Sequence, residues 1–485
     1  MLNSIPAADA DRLRNYLLES GYTEKNLNAM GISELPSRRL RNLPGLLDIT
    51  REPTPLNTLL RWFWLGVRQE AATTEGLLPQ WVIRVALDSG LLRREGTSLV
   101  PQVMLVHIGG FLIASDHTSA IDRGDSNLVL WPNPTSKLLS RFSVRRPSSA
   151  TLDLGAGNGI LGLTAASYSQ RVVATDLNDR ATACAAFNAR LNGIENIECL
   201  TGDGFAPVTG QTFDLILSNP PFFITPSSQY MFCENPAGLD FLCRRLVREA
   251  PSHLNEGGYF QMLCEWAQIA GQPWQERLAE WFQGIECDVW VLHGGTHALP
   301  DYAQNRITET GTAPDKDAEL YGQYMSYYRD KGVEAIHAGL IAIRRRSGQN
   351  WVVIEEVANT PNEPFGESVQ LTFAARDFLQ SHASDETMWA VKPRISPVAR
   401  LESIFRQSNS QWQPASLTLR LTEGFPFFVE VQPIVADFLG RCDGTRALAD
   451  LAKDLAARLK KPVEAVQPEC LAIVRKMIER GFLLC

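Results

Sequence analysis

The segment that most constrains this 485-residue chain is Asp153-Leu154-Gly155-Ala156-Gly157-Asn158-Gly159. It follows an apolar run at 150–154 that reads as a strand, and it opens into a stretch at 159–167 that reads as a helix. Glycines at such a junction permit a tight turn and let a ligand approach the backbone closely. The spacing is GxGxG. A dinucleotide fingerprint needs GxGxxG, and Ile160 stands where its third glycine would be.

The surrounding grammar fits such a turn. Apolar runs at 171–175, 197–201, 213–218, 259–264, 289–293 and 339–344 read as further strands. Helical stretches at 180–191, 241–253, 274–281 and 321–328 separate most of them. Short apolar strands alternating with helices predict an α/β domain with a parallel sheet covered on both faces. Residues 7–31 and 55–96 read as helical, and a hairpin is expected around Gly109-Gly110. Helices followed by a two-stranded ribbon resemble a winged helix. A Pro-, Asn- and Gly-rich stretch at 357–368 marks a boundary. Beyond it, Leu448, Leu451, Leu455 and Leu459 line one helix face. Pro462 breaks that helix, and Val466, Cys470, Val474 and Met477 line another. Three domains are therefore expected: 1–115, helical or winged-helix-like; 116–350, the α/β core; and 351–485, an accessory domain. The last ends in a small α+β winged-helix-like unit from about 415.

Composition narrows the class. Apolar residues are 45% and charged residues 21%, which excludes disorder and coiled coil as the main architecture. The net charge of −8 excludes a histone-like coat of phosphate-binding charge. The charge is uneven: 17 basic residues face 14 acidic before residue 151, against 14 and 23 in 151–350. The nine cysteines are scattered, with no CxxC pair. That pattern suits reduced thiols and a cytoplasmic location. The first twenty residues lack a basic stretch leading into an apolar one, and no apolar run approaches a bilayer span, so no membrane association is expected.

Further candidate residues follow the strands. Asp176 ends the second strand, 17 residues after Gly159, where a carboxylate can accept from both hydroxyls of a ribose. A helix cap is its alternative role. Gly202-Asp203-Gly204-Phe205 follows the third strand. Asp203 is a candidate acceptor for an exocyclic adenine amine and Phe205 for packing on the ring; a simple turn accounts for the stretch equally well. The fourth strand ends in Asn219-Pro220-Pro221-Phe222. Neither proline has an N–H, so the Asn219 side-chain oxygen and the Pro220 carbonyl stand as aimed acceptors. Such a pair suits a planar –NH₂ group, whose lone pair is freed when both protons are accepted. Phe222 can stack on a flat substrate.

In this order and spacing, Asp153–Gly159, Asp176, Asp203 and Asn219–Phe222 resemble the class I S-adenosylmethionine-dependent methyltransferases. The likeness covers about residues 110–345. The tetrad resembles the "methyltransferase small", HemK-like amino-methylating branch: rRNA guanine-N2 and adenine-N6 methyltransferases and the glutamine methyltransferases of release factors. The resemblance implies a Rossmann-like seven-stranded sheet with the last strand antiparallel. It also implies a cofactor, S-adenosyl-L-methionine, held by Asp153, Gly155, Gly157, Gly159, Asp176, Asp203, Gly204, Phe205 and Asn219. Thr135, in Asn133-Pro134-Thr135-Ser136, lies where such enzymes carry a segment over the cofactor. Release-factor enzymes usually read Arg-Pro-Glu-Thr there and Asn-Pro-Pro-Tyr at the tetrad, and this chain departs at both places. The catalytic set is then Asn219, Pro220, Pro221 and Phe222, with no metal.

The expectation is an enzyme that methylates an exocyclic amine of a nucleobase in RNA, ribosomal RNA foremost. The alternatives are N5-methylation of a glutamine in a translation protein, or a peptide or small-molecule substrate, with the C-terminal module binding a partner. Arg38, Arg39, Arg41, Arg51, Arg61 and Arg68 form a basic footprint for nucleic acid or ordinary surface charge. Arg344-Arg345-Arg346 reads as a solvated strand end or a phosphate contact. Phe223, Tyr230 and Phe232 line a substrate entrance or a core. His293, His297 and Asp301 would need a helix to ligate a metal, and Gly294-Gly295 argues against one.

Overall fold

The computed structural model describes all residues except Met1, 33–42, 227–230, 232, 235–237, 311–315, 358–360, 362 and 409. The chain divides into two compact units: 1–140 with 146–358, and 141–145 with 359–485.

The first unit is built on a mixed sheet. Its strands are β1 (Ser148–Leu154), β2 (Ser169–Asp176), β3 (Ile197–Thr201), β4 (Phe213–Ser218), β5 (Leu254–Ile269), β6 (Cys287–Ala298), β7 (Val333–Arg345) and β8 (Val352–Glu356). The helices between them are α1 (Ile160–Ala165), α2 (Asp179–Leu191), α3 (Phe241–Glu249), α4 (Trp274–Ala279), α5 (Leu299–Thr310) and α6 (Asp317–Asp330). The spatial order is β3-β2-β1-β4-β5-β7-β6-β8. Strands β1 to β5 are mutually parallel, and β7 runs antiparallel to both β5 and β6.

The order reverses beside β1, so β1 and β4 diverge into helices on opposite faces. Ligands bind outside the carboxyl ends of strands at such a switch point. The glycine turn after β1 and the Asn219 tetrad after β4 stand there side by side, because β1 and β4 are hydrogen-bonded neighbours with Leu154 opposite Ser218.

The seven expected strands are present, and an eighth is added. Strand β8 pairs parallel with β6, Val289 opposite Val352 through His293 opposite Glu356. It follows a polar turn and is only half-buried, so its five residues give little hydrophobic signal. The core sheet thus extends past the boundary expected at 351. Strand β5 runs for 16 residues, well beyond the expected 259–264, because β7 accompanies it to Ile269. Helix α5 was also not expected; it buries Tyr302, Ala303 and Ile307.

The N-terminal segment packs helices Ala7–Glu19, Pro55–Phe63 and Gln80–Asp88 ahead of a small sheet that pairs Leu92–Glu95 with Ser98–Pro101. A second hairpin, Met104–Ile108 with Phe111–Ser115, turns at Gly109-Gly110 as expected. This segment shares one apolar core with α2. Two α2 asparagines imitate a neighbouring strand for the hairpin's outer edge. Asn188 accepts from Ala114 N at 2.8 Å and donates to Ala114 O at 2.9 Å; Asn192 does the same for Leu112 at 2.9 and 2.8 Å.

The second unit contains helices Gly366–Ser381, Leu448–Leu459 and Val463–Glu479, and a ribbon of Ala399–Ser408 with Gln411–Leu421. Leu448, Leu451, Val466, Cys470, Val474 and Met477 are buried together there. Among the described residues no helix is long and apolar enough to cross a membrane.

Candidate active site

The glycine turn is a backbone cradle anchored on two carboxylates. Gly155, Gly157 and Gly159 all have positive φ, at 77°, 55° and 83°. Gly155 N and Ala156 N donate to Thr175 O at 2.8 and 2.9 Å. Gly157 N donates to Asp176 Oδ2 at 2.8 Å, and Asn178 N to Asp176 Oδ1 at 2.9 Å. The Leu177 N–H bears on the same carboxylate, so three backbone groups face it and capacity remains for a further donor. Burial raises the Asp176 carboxyl above its ordinary range, and the backbone N–H groups oppose that rise. Asp153 lies beneath the turn, fully buried, and accepts from Gly162 N at 2.7 Å. Burial pushes its pKa up to about 7.

Space above the turn is selective. A Cβ on Gly155 or Gly157 would meet no heavy atom within 4 Å, whereas one on Gly159 would lie 2.9 Å from Ala185 Cβ. Gly159 serves helix packing; the other two face open space.

The tetrad's key atom is oriented by a relay. Asn133 Oδ1 accepts the Thr135 hydroxyl at 2.7 Å. That hydroxyl has spent its proton, so toward Asn219 it can only accept, and it takes Asn219 Nδ2 at 3.1 Å. Ser136 Oγ accepts the same amide at 3.4 Å. The amide nitrogen is thereby committed, and Asn219 Oδ1 points the other way. Among the described residues this oxygen is buried with no hydrogen-bond partner. A buried acceptor left unpaired costs about 1–3 kcal/mol, which a substrate N–H would recover. Phe222 is buried, edge-on to Phe223 at 5.4 Å.

The third-strand residues are more committed. Asp203 is exposed and forms a two-pronged ion pair with Arg245, at 2.7 and 2.9 Å, which holds its carboxyl below the ordinary range. Gly204 has a φ of 53°. Phe205 is buried and stacks on His253 at 4.5 Å, so one ring face is taken.

Other sequence candidates are dispersed. Arg38, Arg39 and Arg41 lie outside the described residues, as do Tyr230 and Phe232. Arg61 donates to the Leu47 and Thr50 carbonyls, Arg51 pairs with Asp48 and Arg68 with Glu95. Arg344 is buried on Asp288 at 2.6 Å, with Arg346 3.7 Å from the same carboxylate. Arg345 donates to the Pro251 and Leu254 carbonyls. That run braces β7 against β6 and the start of β5, rather than forming the solvated end or phosphate contact expected of it. His293 and His297 lie on strand β6, and His293 contacts His337 at 3.1 Å. Sequence reasoning missed the orienting role of Asn133, whose partners sit in a different part of the chain from the tetrad they serve.

Comparison with known proteins agrees with this geometry. A family model described as "Methyltransferase small domain" matches residues 133–287, and a "Domain of unknown function (DUF7782)" matches 371–485. A putative protein N5-glutamine methyltransferase of Methanocaldococcus jannaschii is 32% identical over 143 residues, 28% of this chain and 71% of the relative. A release factor glutamine methyltransferase of Xylella fastidiosa is 32% identical over 162 residues, 30% of this chain and 58% of the relative. Ribosomal RNA small subunit methyltransferase C of Pseudomonas entomophila is 34% identical over 120 residues, 24% of this chain and 32% of the relative. The chain thus spans 58% of the Xylella relative and about a third of the Pseudomonas one. With the glycine turn and the Asn-Pro-Pro-Phe tetrad on adjacent strands of the expected sheet, the chain belongs to the class I S-adenosylmethionine-dependent methyltransferases, with further segments before and after the catalytic sheet.

Proposed function

We propose that this enzyme methylates the side-chain amide nitrogen of a glutamine in a protein of the translation apparatus. The observation that carries a nitrogen acceptor is Asn219 Oδ1, a buried oxygen aimed by Asn133 and Thr135 and left without a partner. Glutamine rather than a nucleobase is favoured by the relatives, most of which are named as glutamine methyltransferases of release factors or of ribosomal protein uL3. This reverses the order expected from the Asn-Pro-Pro-Phe tetrad alone.

The residues present fit the cofactor. The open faces of Gly155 and Gly157 admit a ligand against the backbone. Asp176, with lone pairs to spare, holds the ribose hydroxyls. Asp203 accepts the adenine amine while paired with Arg245, and Gly204 and the Phe205 ring flank the base. Asp153 fixes the turn from below. Thr135 acts by orienting Asn219.

S-adenosylmethionine supplies an already activated methyl group, so this chain's work is alignment. Asn219 Oδ1 and the Pro220 carbonyl accept the two amide protons, which turns the nitrogen lone pair out of conjugation. Both oxygens then stabilise positive charge developing on that nitrogen. Pro221 keeps the backbone from donating there, and Phe222 forms the wall against which the flat amide lies. The product loses a proton to solvent, so no general base is needed.

A nucleobase amine presents the same planar –NH₂, and the ribosomal RNA relative keeps it as the second reading. The separating experiment uses labelled methyl donor with release factor, ribosomal proteins and ribosomal RNA. Complete digestion should place the label in N-methylglutamine. Label in methylated nucleosides alone would overturn the glutamine reading.

A further inference from the structure

The tetrad runs from an anchor at Ser218 to one at Ile224, and the contacts of Ile224 have no place in the cofactor or acceptor chemistry above. At the near end, Ser218 Oγ donates to Leu154 O at 2.9 Å, tying β4 to β1. At the far end, Ile224 is gripped on both backbone groups. Its N–H donates to Tyr302 Oη on α5 at 3.1 Å, and its carbonyl accepts from Tyr328 Oη on α6 at 2.9 Å. The Tyr302 hydroxyl in turn donates to Glu265 Oε2.

Glu265 belongs to β5, where Met262 lies opposite Ser218, the last residue of β4. It therefore stands level with the tetrad, just past the end of β4. Glu265, Tyr302 and Tyr328 are all buried, at 5%, 1% and 1% exposure. The Arg306 guanidinium lies 3.9 Å over the Phe223 ring and 5.1 Å over the Tyr302 ring, and it pairs with Glu309 at 3.2 Å.

Two of the residues between the anchors are prolines with φ locked by their rings. Phe223 N also donates to Cys233 O at 2.9 Å, so the segment has little slack and a shift at Ile224 is passed toward Asn219. Packing alone would be served by phenylalanine at 302; a hydroxyl that accepts from Ile224 and donates to Glu265 fixes direction as well as volume.

We propose that Tyr302, seated on Glu265, and Tyr328 are positioning residues of the methyl transfer, which hold the Asn219 and Pro220 acceptors in register with the incoming amine. This rests on the acceptor role given to the tetrad above. A small misplacement of reacting groups can cost up to a hundredfold in rate.

The test uses the full chain, labelled S-adenosylmethionine and release factor as acceptor. Tyr302→Phe should lower kcat about tenfold or more, with cofactor Kd within about twofold. In an Asn219→Ala background the same substitution should cost less than about twofold further, because both act through one atom. Glu265→Gln keeps a carbonyl acceptor for the phenol and should retain most turnover, whereas Glu265→Ala should behave like Tyr302→Phe. Hydrogen exchange followed over residues 219–226 should quicken in Tyr302→Phe and stay unchanged over the glycine turn.

Unchanged exchange at 219–226 overturns the proposal whichever acceptor proves real. So does full additivity with Asn219→Ala. If Asn219→Ala itself leaves kcat intact, the tetrad reading falls. If Asn219→Ala lowers kcat and Tyr302→Phe does not, only the positioning role falls.

Discussion

Gly157 and Gly159 make different demands, and alanine at each separates folding from binding. Both have positive φ, 55° and 83°, where a Cβ costs roughly 1–2 kcal/mol. At Gly157 no heavy atom lies within 4 Å of the added Cβ, so backbone strain is the whole cost. At Gly159 the Cβ falls 2.9 Å from Ala185 Cβ and 3.2 Å from its Cα, on the buried face of α2. Overpacking of that kind adds about 1–3 kcal/mol. Gly159→Ala should therefore destabilise by about 2–5 kcal/mol and Gly157→Ala by about 1–2 kcal/mol, read from urea midpoints. Calorimetric titration with S-adenosylmethionine should give the opposite ranking per unit of stability lost. Gly157→Ala fills the open space proposed for the cofactor and should weaken binding about tenfold or more, in a protein that remains folded. Wild-type affinity in Gly157→Ala would show that the open space over the turn is not the cofactor's. Equal destabilisation by the two substitutions would refute the packing argument.

Three further outcomes follow from the same geometry. Asp176→Ala should weaken cofactor binding sharply in calorimetry and cost about 1–3 kcal/mol of fold for the backbone donors it leaves unpaired; unchanged affinity would remove it from the site. Burial pushes Glu265 up to about 7 from an ordinary 4.5, opposed by Arg306. The folded chain therefore holds this proton where the unfolded chain releases it, and stability falls as pH rises from 4.5 to 7, by up to about 3 kcal/mol. Glu265→Gln cannot ionise, so its thermal midpoint should exceed wild type at pH 8 and match it near pH 4.5; a difference independent of pH would contradict the assignment. Asn188→Ala removes bonds to Ala114 N, Ala114 O and Asn158 O, and leaves buried backbone groups unpaired. It should cost about 2–4 kcal/mol in urea unfolding, and a loss below about 1 kcal/mol would show that the hairpin is held to α2 by apolar contact alone.

Much of the fold could be read because its signals are local. Strands β3 and β4 match the expected ranges 197–201 and 213–218 to the residue, since each is a short run closed by a turn. Strand β8 and helix α5 escaped for opposite reasons. The first has one half-buried face and depends on β6 for its pairing. The second begins at Leu299-Pro300 directly after a strand, with polar residues between its buried positions. The ribbon Ala399–Ser408 with Gln411–Leu421 is exposed over nearly its full first strand, so no burial alternation marks it.

The site divides in the same way. Gly155, Gly157 and Asn219 follow strand ends and Asp176 closes one, so their placement could be read from the sequence. What aims Asn219 was not: Thr135 reaches it across 84 positions. The anchor for Ile224 is likewise remote, with Tyr302 78 positions away. Contacts of that span are set by strand order, which no local pattern encodes. The arginine run at 344–346 misled because charge suggests solvent, whereas Asp288 is buried between β6 and β7 and demands a partner.

The proposed methyl transfer turns on one oxygen atom, Asn219 Oδ1. Turnover and cofactor Kd for Asn219→Ala, measured side by side, test it most directly. The acceptor role predicts a fall in kcat of about a hundredfold or more with Kd within about twofold, as for loss of one preorganised charge-stabilising group. Equal losses in kcat and cofactor affinity, or unchanged turnover, would contradict it.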